Sequence, residues 1–149
     1  MNKLSLEEET KLKENYQKEL KLYESMFNIA LKQEEMIQSR NLTQLLSLIN
    51  QRKEIINKIN QIEQKILPLK GKWTEAKDYS LGGEVSLLVK KLSSLLEKIL
   101  TQEQKNSSLL KKSIRKVNTD LEHIQKGKAL HKAYGNYFKA KPRFMDQVT

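Results

Sequence analysis

The feature that most constrains the fold is a long run of apolar residues spaced three and four positions apart in the second half of the chain. The run consists of Val85, Leu88, Leu92, Leu95, Ile99, Gln102, Asn106, Leu110, Ile114, Val117, Leu121 and Ile124. This spacing places side chains on one face of an α-helix. It predicts a helix over residues 84–126, about 60 Å long at ~1.5 Å per residue, which is too long for one shorter helix to cover alone.

Two earlier segments carry the same period and supply the missing partners. Ser5 followed by Glu8 is typical of a helix start, and predicts a first helix over residues 6–40. Asn41 is a candidate cap for a second helix over 42–66, which Pro68 is expected to end. Residues 67–83, which contain three of the chain's five glycines, form the predicted connector.

These segments predict an all-α fold: an elongated antiparallel helical bundle or coiled coil of three long helices plus a C-terminal tail. The bundle is expected to occupy residues 1–127 and the tail residues 128–149. Long seams of this kind suit a monomer or a homodimer equally well.

Charge is concentrated at the C-terminal end. The net charge is +10, of which residues 105–149 contribute +8. The tail interleaves lysines with aromatic residues, including Tyr134 and Phe138. It is interpreted as a solvated tail, a docking peptide for a protein groove, or a segment that contacts nucleic acid by charge and stacking. Its apolar residues are not sorted onto one helical face, which argues against membrane binding.

No pattern for catalysis or for a cofactor is found. The chain has no cysteine, no glycine-rich phosphate loop and no HExxH motif. His123 and His131 are too poorly supported by further ligands to predict a metal site, and are expected to be exposed or capping residues. The acidic N-terminal segment and the lack of a long apolar stretch indicate a protein without membrane insertion, and the missing cysteines fit the cytoplasm.

Gln102 and Asn106 interrupt the aliphatic seam of the third helix. Such residues form either a polar layer that fixes the register of the helices or a point where the bundle is loosened to admit another helix.

A helical hairpin with a turn near residue 41, a connector with Gly and Pro, a long helix with Asn106-x-x-Leu109-Leu110 and a tail with Ala133-Tyr134-Gly135 resembles the FlgN family of flagellar type III export chaperones. The resemblance implies a cytoplasmic, non-enzymatic chaperone that binds the C-terminal segments of the hook–filament junction proteins FlgK and FlgL. It also implies that Tyr134 docks on the export gate protein FlhA. The strongly basic tail departs from the family pattern.

The resemblance and the seam together give a candidate cargo-binding surface on the distal third helix. Its members are Asn106, Leu109, Leu110, Ile114, Val117, Leu121 and Ile124. Apolar side chains that the fold itself leaves unused can accept a guest helix in a groove. Two alternatives remain: a coiled-coil scaffold or nucleic-acid-associated protein that uses the basic tail, and a FliT-like chaperone of the filament-cap protein.

Overall fold

The computed structural model describes residues 4–76 and 83–127, with side chains described for 4–73 and 83–122. It contains three helices: α1 over Leu6–Gln38, α2 over Leu42–Ala76 and α3 over Glu84–Gly127. No strand occurs in these two ranges. The predicted all-α bundle of three long helices is therefore confirmed, whereas the expected tail over 128–149 lies outside the described residues.

Helix α1 begins where the sequence predicts. Ser5 Oγ accepts a hydrogen bond from the backbone N–H of Glu8 at 3.1 Å, and Glu8 Oε1 accepts one from the Ser5 N–H at 3.2 Å. This reciprocal pair satisfies two backbone donors that the helix leaves free. Lys72 Nζ lies 2.7 Å from Glu8, and together with Ser5 it holds the pKa of that carboxyl below its ordinary value.

The turn between α1 and α2 is confirmed at the predicted position. Arg40 adopts a left-handed conformation with φ of 58°. Its N–H donates to Ile37 O at 3.2 Å, and the Asn41 N–H donates to Met36 O at 2.9 Å, which is the hydrogen-bond pattern of a Schellman motif. Asn41 Oδ1 then accepts from the Gln44 N–H at 3.2 Å, so the chain reverses within three residues and starts α2.

The prediction that Pro68 ends α2 is wrong, because the helix continues through the proline to Ala76. A proline inside a helix costs ~3 kcal/mol, since it removes one hydrogen bond and crowds the preceding turn. Ile66 and Leu69 are both buried in the core beside the proline, and Trp73 packs against the same cluster. Burying each such side chain stabilises by ~1.5–3 kcal/mol, enough to outweigh the local cost.

Helix α1 is the central element and contacts both other helices, whereas the backbones of α2 and α3 hardly approach each other. Three apolar clusters follow one another along the bundle. The first joins Leu12 and Tyr16 to Ile66 and Val85, and the third joins Ile37 to Leu45 and Leu110. Helix α2 is therefore antiparallel to α1, and α3 is parallel to it. None of the three helices, over the residues described, contains a stretch apolar enough for its length to cross a bilayer.

Candidate functional site

Helix α3 is longer than the hairpin on which it packs. Asn106 Nδ2 donates to Ala30 O at 2.8 Å, which fixes the register between α3 and α1. At the next contact, Leu110 packs on Ile37, one residue before α1 ends, and Ile114 lies at the edge of that cluster. Residues 115–127 continue the helix for about 20 Å past the turn of the hairpin. We call this segment the overhang.

The overhang extends the same helical face that α3 buries lower in the bundle. At about 100° per residue, Val117 and Leu121 fall within roughly 40° of the direction of buried Ile99 and Leu110. Within the described residues, no apolar cluster joins Val117 to α1 or α2, and its side chain is 42% exposed. The face that forms the core of the bundle therefore continues, without a partner helix from the hairpin, into the overhang.

At the base of the overhang, the three helices enclose a cleft of about 270 Å³. Its apolar wall comprises Ile37, Leu45, Ile49 and Leu110. Its polar wall comprises Gln33, Arg52, Glu103, Asn106 and Ser107. A cleft with an apolar side and several hydrogen-bonding groups can accept an apolar side chain together with a neighbouring polar group.

An ion pair between α2 and α3 closes one side of this cleft. Arg52 Nε and Nη2 both donate to the carboxylate of Glu103, the second bond measuring 3.0 Å. This two-point arrangement fixes the relative direction of the two planar groups. The pair is a direct side-chain link between α2 and α3 at this level of the bundle.

The polar layer in the α3 seam is hydrogen-bonded. Gln102 Nε2 donates to Asn106 Oδ1 at 3.0 Å, while the Asn106 amide donates to the Ala30 carbonyl. Asn106 is buried, and each of its two side-chain polar atoms has a partner. This arrangement favours a register-fixing role over a loosened bundle.

The structure places the predicted cargo-binding residues in three environments. Asn106 and Leu110 are buried between helices and also line the cleft. Leu109, Ile114 and Leu121 are half-buried, and Val117 is exposed. The side chain of Ile124 and the whole of Tyr134 lie outside the described residues. The predicted surface therefore divides into a part that the bundle uses and a part that continues into the overhang.

A buried charged cluster, which the sequence did not indicate, lies at the opposite end of the bundle. Glu19 on α1 is 1% exposed, and its Oε1 has no hydrogen-bond partner among the described residues. Burial and the neighbouring carboxylate of Glu63 raise the pKa of Glu19 to about 8, while Lys70, ion-paired with Glu63, acts in the opposite direction. Burial also raises the pKa of Tyr16 to about 12, and Lys70 Nζ lies 5.7 Å from the centre of its ring.

The described members of this cluster do not form a set of metal ligands. Among the residues described, no three acidic or histidine side chains lie close enough together to hold a metal ion. A protonated carboxyl beside an ion pair buries no unpaired charge. The raised pKa of Glu19 is therefore accounted for by its surroundings alone.

The fold and the cleft together define an open helical bundle in which one helix extends its core-forming face beyond its partners. The family model described as FlgN protein matches residues 1–142 of this chain. The chain belongs to the FlgN family, which is a family of flagellar export chaperones rather than of enzymes. The comparison with curated proteins finds no match, and neither does the comparison with solved structures.

Proposed function

We propose that this chaperone binds the C-terminal segments of hook–filament junction proteins of the FlgK and FlgL type and delivers them to the flagellar export apparatus in the cytoplasm. The observation that carries the proposal is the overhang, whose apolar face extends the core of the bundle past the end of the hairpin. A helix from another protein can occupy there the place that α1 occupies lower in the bundle.

The physical need for such a chaperone follows from the nature of the cargo. A segment that packs as an amphipathic helix in an assembled filament exposes an apolar face before assembly, and exposed apolar patches lead to aggregation. The overhang offers Val117 and Leu121 at helical spacing, and the cleft beside it adds Leu110 and Asn106. Together these residues form a surface on which one amphipathic helix can pack lengthwise.

Calorimetric titration with C-terminal peptides of the junction proteins tests the assignment. V117D places a carboxylate in the middle of the apolar face and is expected to lower the affinity at least tenfold. The matched control is L100D, because Leu100 is also exposed on α3, at 58%, but lies roughly 25 Å before Val117 along the helix and about 100° around it. L100D is expected to leave the affinity within twofold of the unchanged protein.

Truncation gives a second test. Removal of residues 115–149 deletes the overhang and the tail but keeps Leu110 and Ile114, which pack in the third cluster of the bundle. Loss of peptide binding is expected, together with a cooperative thermal unfolding transition that shows the remaining bundle to be folded. Peptide affinity that survives both V117D and this truncation would contradict the proposed function.

Delivery to the export gate is the second part of the proposal and rests on Tyr134. The Y134A variant is expected to lose binding to the cytoplasmic part of FlhA while it keeps its affinity for the cargo peptide. A titration of FlhA with the chaperone–peptide complex checks this separation. Equal loss of both activities would place Tyr134 on the cargo surface instead.

A further inference from the structure

Two carboxyl groups and one lysine meet between α1 and α2, at the end of the bundle opposite the overhang. Glu19 on α1 is 1% exposed, and its carboxyl group is hydrogen-bonded to that of Glu63 on α2. Lys70 forms an ion pair with Glu63 and also acts on Glu19. One cation therefore serves two acidic side chains. One carboxyl group can hydrogen-bond another only if one of the two carries a proton.

The remaining neighbours of Glu19 do not supply a second positive charge. On its own helix, the phenols of Tyr16 and Tyr23 lie beside it, and their pKa values are raised by burial and further by the two carboxyl groups. Helix α3 contributes aliphatic side chains to the cluster that contains Tyr16, Leu88 and Leu92 among them, and every lysine of α3 with a described side chain is exposed. Because Glu19 Oε1 has no hydrogen-bond partner among the described residues, an ionised Glu19 would lie buried and poorly paired.

Helix α2 is locally weak directly after this cluster. Pro68 removes one backbone hydrogen bond from the helix, and Gly71 lies in the next turn with nothing within 4 Å of an added Cβ. Residues 68–76, which we call the latch segment, follow this weak point and include Lys70. Contacts that hold the latch segment to the bundle are the packing of Leu69 and Trp73 in the first apolar cluster and the ion pair between Lys72 and Glu8.

We infer that Glu19 and Glu63 share a single proton and that loss of this proton releases the latch segment from α1, which makes the cluster a pH-sensitive switch. With the proton in place, the two carboxyl groups and Lys70 together carry no net charge. Without it, two carboxylates repel each other beside one cation, in a place that water does not reach. Release of the latch segment gives water access to the carboxylates, and the missing hydrogen bond at Pro68 lets the helix bend there.

The direction of the switch follows from the closed and open forms of the site. In the closed form the pKa of Glu19 is about 8, chiefly because of burial and further because of Glu63, whereas water restores the ordinary value of 4.5 in the open form. Below the ordinary value both forms bind the proton, so the closed form keeps its full advantage. As the pH rises toward about 8, the open form gives up its proton first and the closed form is lost. The latch segment is therefore expected to be closed in acid and released in mild base.

The only tryptophan of the chain reports on the latch segment. Trp73 lies within it and packs against the first apolar cluster, and its Nε1 is shielded from solvent. Release exposes the indole to a soluble quencher such as acrylamide. From about pH 6 to about pH 9, the quenching constant of the full chain is expected to rise at least twofold, with a midpoint no higher than about 8. Most of the helical circular-dichroism signal is expected to remain, because the rest of the bundle stays folded.

Ionisation of Glu19 in place is the competing outcome. In that case the quenching constant of Trp73 would stay unchanged across the same pH range, and the inference would be overturned. A rise in quenching that coincides with loss of the whole helical signal would show global unfolding instead of a local release, and would overturn it as well.

Matched variants separate the shared proton from a general effect of charge. E19Q and E63Q each leave one carboxyl for Lys70, so no unpaired charge is buried, and Trp73 is expected to stay protected through about pH 9. K70M keeps an apolar side chain but removes the cation, so its midpoint is expected to fall by at least about one pH unit. E24Q removes an exposed glutamate from the same helix and is expected to behave like the unchanged protein. Release in E19Q equal to that of the unchanged protein, or an unchanged midpoint in K70M, would overturn the shared proton.

P68A tests where α2 bends. Alanine restores the backbone hydrogen bond that proline removes, so the closed form gains stability and the midpoint of Trp73 quenching is expected to move to higher pH. The cluster itself is unchanged in this variant, so E19Q/P68A is expected to show no transition up to about pH 9, as E19Q does. A midpoint that P68A leaves unchanged would overturn release of the latch segment at Pro68.

Discussion

Replacement of Glu19 by glutamine is expected to stabilise the protein and to change how its stability depends on pH. Glu19 is buried against Tyr16 and Tyr23 on its own helix and against Glu63 and Lys70 on α2. In the folded protein its pKa is about 8, against an ordinary value of 4.5. Glutamine has the shape of the protonated carboxyl and can donate to Glu63, but it never has to take up a proton.

The direction of the pH dependence follows from the protonation of Glu19 in the folded chain and in the unfolded chain. Below pH 4.5, the glutamate is protonated whether the chain is folded or unfolded, so its stabilising contribution is fully present. As the pH rises from about 4.5 to about 8, the unfolded chain ionises while the folded chain must keep its proton, and stability declines. At pH 7 the difference between the two states amounts to about 3 kcal/mol, at ~1.4 kcal/mol for each pKa unit.

The E19Q variant escapes this loss. At pH 7 its free energy of unfolding is expected to exceed that of the unchanged protein by about 2–3 kcal/mol, and near pH 4.5 the two are expected to converge. Urea denaturation followed by circular dichroism between about pH 4 and about pH 8 measures the difference directly. The control is E24Q, because Glu24 is an exposed glutamate on the same helix.

Two outcomes of the urea titrations would refute the prediction for Glu19. If the unfolding free energies of E19Q and the unchanged protein run parallel across the whole pH range, Glu19 does not take up a proton on folding. If E24Q shows the same gain as E19Q, the effect comes from the net charge of α1 and not from burial. Either result would contradict the assignment of a protonated, buried carboxyl.

Four further substitutions test the fold and its boundary with the overhang. G71A is expected to stabilise the protein by ~0.5–1 kcal/mol in urea titrations, because Gly71 lies inside α2 with nothing within 4 Å of an added Cβ. P68A is expected to raise the free energy of unfolding by ~1–3 kcal/mol, because it restores a helical hydrogen bond. An unchanged free energy of unfolding would mean that α2 is broken at residue 68. L110A is expected to lower the free energy of unfolding by ~2–5 kcal/mol, because Leu110 is buried, whereas V117A is expected to lower it by less than ~0.5 kcal/mol. Equal losses for the two variants would contradict the different burial of the two residues.

The helices and the turn between α1 and α2 were predictable because their signals are local. The pairing of Ser5 with Glu8 and the cap at Asn41 involve residues three positions apart, so the sequence alone contains both partners. The prediction that Pro68 ends α2 was wrong because the contacts that stabilise the helix there are not local. The side chains of α2 on either side of the proline pack on residues of α1 and α3 far away in the sequence, and no local pattern reveals those contacts.

The buried face of α1 was predictable only in part. Leu12, Tyr16 and Ala30 share one helical face and are buried, and Glu19, within about 60° of each of them, is buried on the same face although its side chain is polar. Ile29, about 100° from Leu12 and from Ala30, is buried as well. Because α1 packs between two helices, it buries more of its circumference than a single stripe. The period of one helix gives one preferred face and does not say how many neighbours the helix has.

Only those residues of the candidate site that lie on α3 were predictable from the sequence. The seam and the family motif indicated residues from Asn106 onward, and the structure places Asn106 and Leu110 at the cleft. The contributions of Gln33, Arg52 and Leu45 from the other helices depend on the register between helices, which side-chain spacing within one helix does not encode. The overhang likewise follows from comparing where α1 ends with where α3 ends in space.

The central position of α1 has a consequence for the order of events during synthesis. All contacts of the α1–α2 hairpin lie within the first 76 residues, whereas the bond from Asn106 to Ala30 spans 76 positions. Contacts between residues that are near in sequence form sooner than distant ones. The hairpin is therefore expected to close while the ribosome is still making α3, and the overhang becomes available only after the rest of α3 has been made, on a base that is already folded.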